Sequence, residues 1–214
     1  MPSSTLSPKI LKGGIVLLDS ATSAVEKIIP MQYNPETITR ALTPKRLATG
    51  EQSDALRLTG PPEETYSLDI ELDATDFLEA KDDQAIADGL QSALSILETI
   101  IYPKSSQLIS NNSLAASGTL EIIPIEGPLV LFIWSKNRVM PVQITTFSVT
   151  EEAFDVNLNP IIAKISLAMK VLTVDDLGFD HKGGSLYLAY HKQKEQLALK
   201  FKSSSLGALG VNDI

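Results

Sequence analysis

Between residues 66 and 73 the chain alternates without a break. Tyr66, Leu68, Ile70 and Leu72 are apolar, while Ser67, Asp69, Glu71 and Asp73 are polar. Ile165, Leu167, Met169 and Val171 alternate in the same way with Lys164, Ser166, Ala168 and Lys170. Successive side chains of a strand point to opposite faces, so both stretches predict strands with one buried face and one wet face. The wet face of the first is acidic.

Shorter apolar runs between turn residues extend this pattern. Residues 15–18 follow Gly13-Gly14 and precede Asp19-Ser20, which predicts a first strand. Residues 28–38 predict a second, interrupted by Pro30 and Pro35. Proline has no N–H for the ladder, which confines such a strand to an edge or a bulge. Residues 120–125, 130–134, 139–149 and 161–174 predict four more, with Lys136-Asn137 as a tight hairpin between two of them. Residues 40–64 have no periodicity and contain Pro61-Pro62, which predicts a long loop or extended hairpin, usually functional or partner-bound at that length.

One helix is expected inside this β framework, over residues 83–101. Ile86, Leu90, Ala93, Leu94, Leu97 and Ile101 share a face, Asp82 and Asp83 suit its N-terminus, and Pro103 stops it. After Val174 the character changes to a linker with Asp175-Asp176, Gly178 and Gly183-Gly184, then a second helical stretch over residues 185–202. The expected fold is therefore mainly β with one packed helix, an α+β sandwich or barrel carrying a C-terminal helical extension. Residues 1–174 form the β domain and residues 175–214 a linker and docking tail.

Composition removes several functions. The 214 residues carry a formal net charge of −8 and no run of five like charges, whereas a nucleic-acid surface needs clustered Lys or Arg. Cysteine is absent, which excludes disulfides, thiolate nucleophiles and cysteine-ligated metal centres. The N-terminal residues lack the basic-then-apolar order of a signal peptide, and the longest apolar run, residues 129–134, falls far short of the ~20 residues that cross a bilayer. Direct membrane insertion is not expected.

The residues that carry chemistry do not assemble. His181 and His191 have no partner at metal-ligand spacing, and no G-x-S-x-G elbow is present. Glu63-Glu64, Asp82-Asp83, Glu151-Glu152 and Asp175-Asp176 are neighbours in sequence, and on a strand neighbours diverge, so capping and solvation account for them. Lys12-Gly13-Gly14 and Lys182-Gly183-Gly184-Ser185 lack phosphate-loop spacing and are expected to be turn glycines. No enzyme, metal or cofactor is expected.

Two stretches resemble a known family. Ile29-Pro-Met-Gln-Tyr-Asn-Pro-Glu-Thr-Ile38 resembles the opening strand of the tube-like domain in baseplate proteins of contractile injection systems. Pro128-Leu-Val-Leu-Phe-Ile-Trp134, then Arg138-Val-Met-Pro141, Phe147-Ser-Val-Thr150, Phe154-Asp155, Asn159-Pro160 and residues 163–171, is similar in order and spacing to the core of that domain. The resemblance spans residues 11–173. Ser135, Leu158-Asn159 and Ile161-Ile162 depart from it, and the lysine-bearing stretch 178–214 stands where family members often carry a LysM domain.

The resemblance implies a phage-tail-tube fold assembled as a homo-hexameric ring, acting as a tube initiator or as an adaptor between spike hub and inner tube. Its implied partners are the inner-tube protein, the spike or hub protein, and baseplate wedge or sheath proteins. It would assemble in the cytoplasm into a particle that is either released or membrane-anchored. The expected ring interface is Tyr33, Asn34, Pro35, Lys45, Arg46, Leu56 and Leu58; Tyr33 to Pro35 also suit turn chemistry alone. Leu186, Tyr190, Leu197 and Phe201 form the expected docking face of the tail, with folding back onto its own domain as the alternative. The inner-tube protein itself, and a monomeric β-domain binding a small ligand or glycan, are the competing functions.

Overall fold

A computed structural model describes residues 10–19, 22–46, 56–118 and 127–211. Within them lie seven strands: β1 (Gly14–Leu18), β2 (Val25–Pro30), β3 (Ile38–Thr43), β4 (Glu63–Asp73), β5 (Leu129–Ser135), β6 (Arg138–Phe154) and β7 (Pro160–Val171). They join in one antiparallel sheet in the order β2-β1-β5-β6-β7-β4-β3. Six helices accompany it: α1 (Thr75–Glu79), α2 (Asp83–Asp88), α3 (Gln91–Glu98), α4 (Ser105–Ala116), α5 (Val174–Leu177) and α6 (Lys182–Ala198). The α+β class is as expected. All seven strands belong to a single sheet, which curls enough to bring the Tyr66 and Phe132 rings of β4 and β5 to 5.9 Å and leaves β2 and β3 at its edges among the described residues. No helix among the described residues is long and apolar enough to cross a membrane.

The alternation at β4 and β7 sets the two faces. Tyr66, Leu68, Ile70 and Leu72 are buried against Ile165, Leu167, Met169 and Val171, while Ser67, Asp69 and Glu71 face solvent. On the wet face the Ser166 hydroxyl donates to Asp69 at 2.7 Å. The main core continues through Met140 and Val142, Phe132, and Ile15 and Leu17, and is capped by Leu90, Leu94 and Leu97. Lys136-Asn137 makes the expected hairpin, with Ser135 opposite Arg138. The strand expected over residues 120–125 lies outside the described residues.

The single expected helix is broken in two at Gly89. There φ is +56°, a conformation that glycine adopts without a Cβ penalty, and a Cβ would stand 2.5 Å from the Pro160 carbonyl oxygen. The break lets the Leu90 N–H donate to that same carbonyl at 2.9 Å. It also rotates the helical faces, so Leu90, Leu94 and Leu97 are buried while Ile86 and Ile101 are exposed. Asp82 caps α2 as expected, accepting from the N–H groups of Gln84 and Ala85. Helix α4 carries no apolar stripe and no buried residue, so periodicity does not announce it.

The strand expected over residues 28–38 is likewise two strands. β2 ends at Pro30, β3 begins at Ile38, and the two occupy opposite edges of the sheet. The edge position is what the prolines require. Residues 31–37 carry the chain across from one edge to the other.

Candidate interaction surfaces

The crossover contains the first group of expected interface residues. Gln32 clamps it to the end of β4: its Nε2 donates to the Asp73 carbonyl at 2.6 Å, and the Asp73 N–H donates to its Oε1 at 3.0 Å. Asn34 ties the other side down, accepting from the Gly13 N–H and donating to the Leu11 carbonyl, both at 2.9 Å. The amide of Asn34 thus serves as turn and crossover chemistry within the chain. Tyr33 beside it is half-exposed.

Lys45, Arg46, Leu56 and Leu58 lie on an arm that prolongs the β3–β4 hairpin, as the extended-hairpin expectation for residues 40–64 has it. Arg46 bridges Leu58, and the Thr59 N–H donates to the Lys45 carbonyl at 3.1 Å. Lys45 Nζ reaches Asp175 at 3.2 Å. Leu56 and Leu58 project into solvent. The arm therefore rests on the start of α5 while its apolar residues point away.

The expected docking face of the tail divides. Leu186 and Tyr190 are used inside the chain: Leu186 packs with Val16, Leu18, Leu129 and Leu131, and Tyr190 enters the main core beside Tyr187. Leu197 and Phe201 remain exposed, together with Leu199, Leu206 and Leu209. Tyr190 is held inside by a buried carboxylate. Glu64 is only 2% exposed. Its Oε1 accepts from Tyr190 at 2.8 Å and Tyr66 at 3.0 Å, its Oε2 accepts from Lys194 at 2.6 Å, and Arg40 stands 3.9 Å away. The Lys194 ammonium also lies 4.1 Å from the centre of the Tyr190 ring. Burial, then the hydrogen bonds to Tyr66 and Glu64, hold the Tyr190 phenol far above its ordinary value. Burial raises the Tyr66 phenol as well, so both remain donors.

This cluster was legible in principle. The alternation of Tyr66, Leu68, Ile70 and Leu72, continued backward by one step, puts Glu64 on the buried face and Glu63 on the wet one. A buried carboxylate demands cations and donors, and Lys194 with Tyr190, one helical turn apart, supply them.

Gly183 and Gly184, in the first turn of α6, serve packing instead of a separate turn. A Cβ on Gly184 would overlap the Gly178 carbonyl oxygen, and one on Gly183 would meet the Leu177 side chain. His181 caps α6, its Nδ1 accepting from the Gly183 N–H at 3.0 Å, and His191 stacks on Tyr187. Asp176 completes a capping box on α5 with Thr173. Partial burial opposes its ionisation, but the Thr173 N–H and hydroxyl and the Lys170 ammonium outweigh this and hold its carboxyl below the ordinary range. A depressed carboxyl contributes stability above its ordinary value of ~3.9 and loses it as the pH falls through the folded value. The start of α5 is therefore expected to loosen below about pH 4. Amide exchange across a pH series should show this, and Asp176→Asn should flatten the dependence.

Two features escape sequence reasoning. The first is the exposure of Phe154, Val156 and Leu158 at the β6–β7 turn, although the turn itself falls in the expected gap between the strands at 139–149 and 161–174. The second is a half-open cavity of about 270 Å³ between β1, the crossover, α1 and α3. Neither has a periodic signature, because both arise from loops and from elements far apart in sequence. Among the described residues no three His, Asp or Glu side chains cluster to hold a metal ion. No protein-family model matches the chain, and no curated protein matches it significantly.

Proposed function

We propose that this chain is a structural ring subunit of a contractile injection system, a tube initiator or hub-to-tube adaptor that assembles as a hexamer through its sheet edges. The observation that carries the reading is the pair of open edges. β2 and β3 are six residues each, and among the described residues neither has an outer neighbour. β2 exposes Val25 and Ile28 along its length, and β3 exposes Leu42. An unpaired strand is a template for another strand, and closing a sheet into a barrel removes edges altogether. Pairing β2 of one copy with β3 of the next would turn six open sheets into one continuous wall. The hydroxyl-rich face of Ser67, Asp69, Ser166 and Ser148 would then lie on one side of it.

The similarity of residues 29–38 and 128–171 to tube-like baseplate domains supports the same reading. Its partners would be the inner tube, the spike hub and the wedge or sheath proteins, met during cytoplasmic assembly. The exposed Leu197, Phe201, Leu206 and Leu209 would serve for attachment outside the ring. Native mass spectrometry of the chain co-expressed with baseplate partners should give six-fold rings. A proline at a β3 position whose N–H points away from β4 removes an edge donor and should leave monomers that retain their circular-dichroism spectrum. A chain that stays monomeric with every partner present would sink the proposal.

A further inference from the structure

The geometry points to a knob-and-hole contact between copies of this chain, in which the β6–β7 turn of one copy seats its apolar side chains in the cavity beside Met31 and Phe77 of the next. The inference rests on the ring reading and names the contact that would fix the ring's register.

The knob is built to be rigid. Asp155 Oδ1 accepts from the N–H groups of Asn157 at 2.7 Å and Asn159 at 2.8 Å, and its Oδ2 accepts from Asn159 Nδ2 at 2.9 Å. Asn159 Nδ2 also donates to the Ala87 carbonyl at 3.0 Å, which anchors the turn to α2. On this frame Val156 is 97% exposed, Leu158 77% and Phe154 50%. Leu158 has φ at +66°, a region where glycine or asparagine is at ease and leucine is not. A large apolar side chain that faces water in a strained conformation is two costs at one position, and the bonded turn holds it there. Strain of this kind persists where the contact it serves lies elsewhere.

The hole matches it in chemistry. Ile15, Ile29, Met31, Phe77, Ala93 and Ile96 are among its walls, and Lys12 is the one charged lining residue among those described. The Gln32 amide, also in the wall, is already satisfied by the Asp73 backbone. A cavity of ~150 Å³ with aliphatic and aromatic walls accepts a benzene-sized group, so about 270 Å³ takes an aromatic side chain or two aliphatic ones. Charge agrees as well. Glu151 and Asp155 flank the knob, opposite in sign to Lys12 at the hole. Knob and hole are made of different residues of one subunit, so their contact is heterologous, the kind that closes a ring when its rotation closes.

The absence of cysteine makes the test clean. Chains carrying Val156→Cys are mixed with chains carrying Phe77→Cys, assembled, oxidised mildly and run without reductant. A mixed disulfide between positions 156 and 77 is expected, and neither variant alone should cross-link. In parallel, Leu158→Asn relieves the left-handed leucine, so its melting temperature should stay level or rise. Its assembly should nevertheless weaken on the order of tenfold or more, the scale of losing an interface anchor. Rings that form with Leu158→Asn at wild-type concentration, or that yield no mixed disulfide, overturn the contact and leave the ring reading standing. A wild-type chain that forms no ring removes both.

Discussion

Replacing Glu64 with alanine is expected to free helix α6 from the sheet and to lower stability by about 2–4 kcal/mol. The carboxylate receives two phenol hydroxyls and one ammonium within 3.0 Å, and it is almost completely buried. Removing one partner of a buried pair usually costs ~3–5 kcal/mol, because the other charge is stranded without water. Here the stranded cations have an escape: the side chains of Lys194 and Arg40 are 32% and 41% exposed, and both can turn outward. The Tyr66 and Tyr190 hydroxyls, 2.9 Å apart, can still bond each other. These two reliefs put the cost at the lower part of the range. Tyr190→Phe removes one hydrogen bond to a charged group and should cost ~1.5–3 kcal/mol. Urea unfolding measures both, and amide exchange should show faster opening of α6 in each. A Glu64→Ala protein with an unchanged midpoint and a protected α6 would mean that the cluster is decoration.

Gly184→Ala is expected to be the most damaging small substitution in the tail. The new methyl would occupy the place of the Gly178 carbonyl oxygen, a backbone atom that cannot rotate away. Gly178 is itself held, its N–H donating to Val174 at 2.8 Å and its φ at +81°. Overpacking of this kind costs ~1–3 kcal/mol or more. The gain of alanine over glycine in a helix, ~1 kcal/mol, offsets part of it. A net loss of about 2 kcal/mol remains. Ser185→Ala, one residue on and exposed, should stay within ~0.5 kcal/mol and serves as the control. Since Glu64→Ala and Gly184→Ala both unseat α6, the second should cost less in the background of the first. Strict additivity would show that α6 is held at two independent places.

Much of the sheet was readable from alternation, because a strand with one dry face must repeat every two residues. Tyr66 to Asp73 and Lys164 to Val171 have that form, and the structure buries and exposes the expected side chains. The prolines at 30 and 35 told correctly of an edge, but not that the chain leaves one edge after Pro30 and reaches the opposite one at Ile38. That jump depends on Gln32 finding Asp73, forty-one residues away, and no local pattern records such a meeting. The helix after β4 looked continuous because its apolar spacing is continuous. Its break is decided by the Pro160 carbonyl, which belongs to another element.

The candidate surfaces divide along the same line. Asn34 was noticed as a motif residue, and its contacts with Gly13 and Leu11 are short loops of chain brought together by β1 and β2. The periodicity of the tail helix suits either a docking face or folding back onto its own domain, and cannot choose between them. Tyr190 and Leu186 are inside: Tyr190 with Lys194 completes the bonding of Glu64 on β4, and Leu186 packs on Val16, Leu18, Leu129 and Leu131. The exposed β6–β7 turn and the cavity at α3 carry no periodicity at all.

Taken by itself, the sequence determined that strands with one wet face would dominate, that Pro30 would lie at an edge, and that no cysteine chemistry was open to the chain. These follow from properties of single residues and their nearest neighbours: side-chain period, a missing N–H, a missing thiol. Only the tertiary structure decided that β2 and β3 lie at opposite edges of the sheet with no outer neighbour among the described residues, that Glu64 locks α6 in place, and that a rigid apolar knob and an apolar hole occur on the same molecule. Each of these is a meeting between groups distant along the chain, and its free energy comes from desolvation and packing that do not exist until the fold has formed.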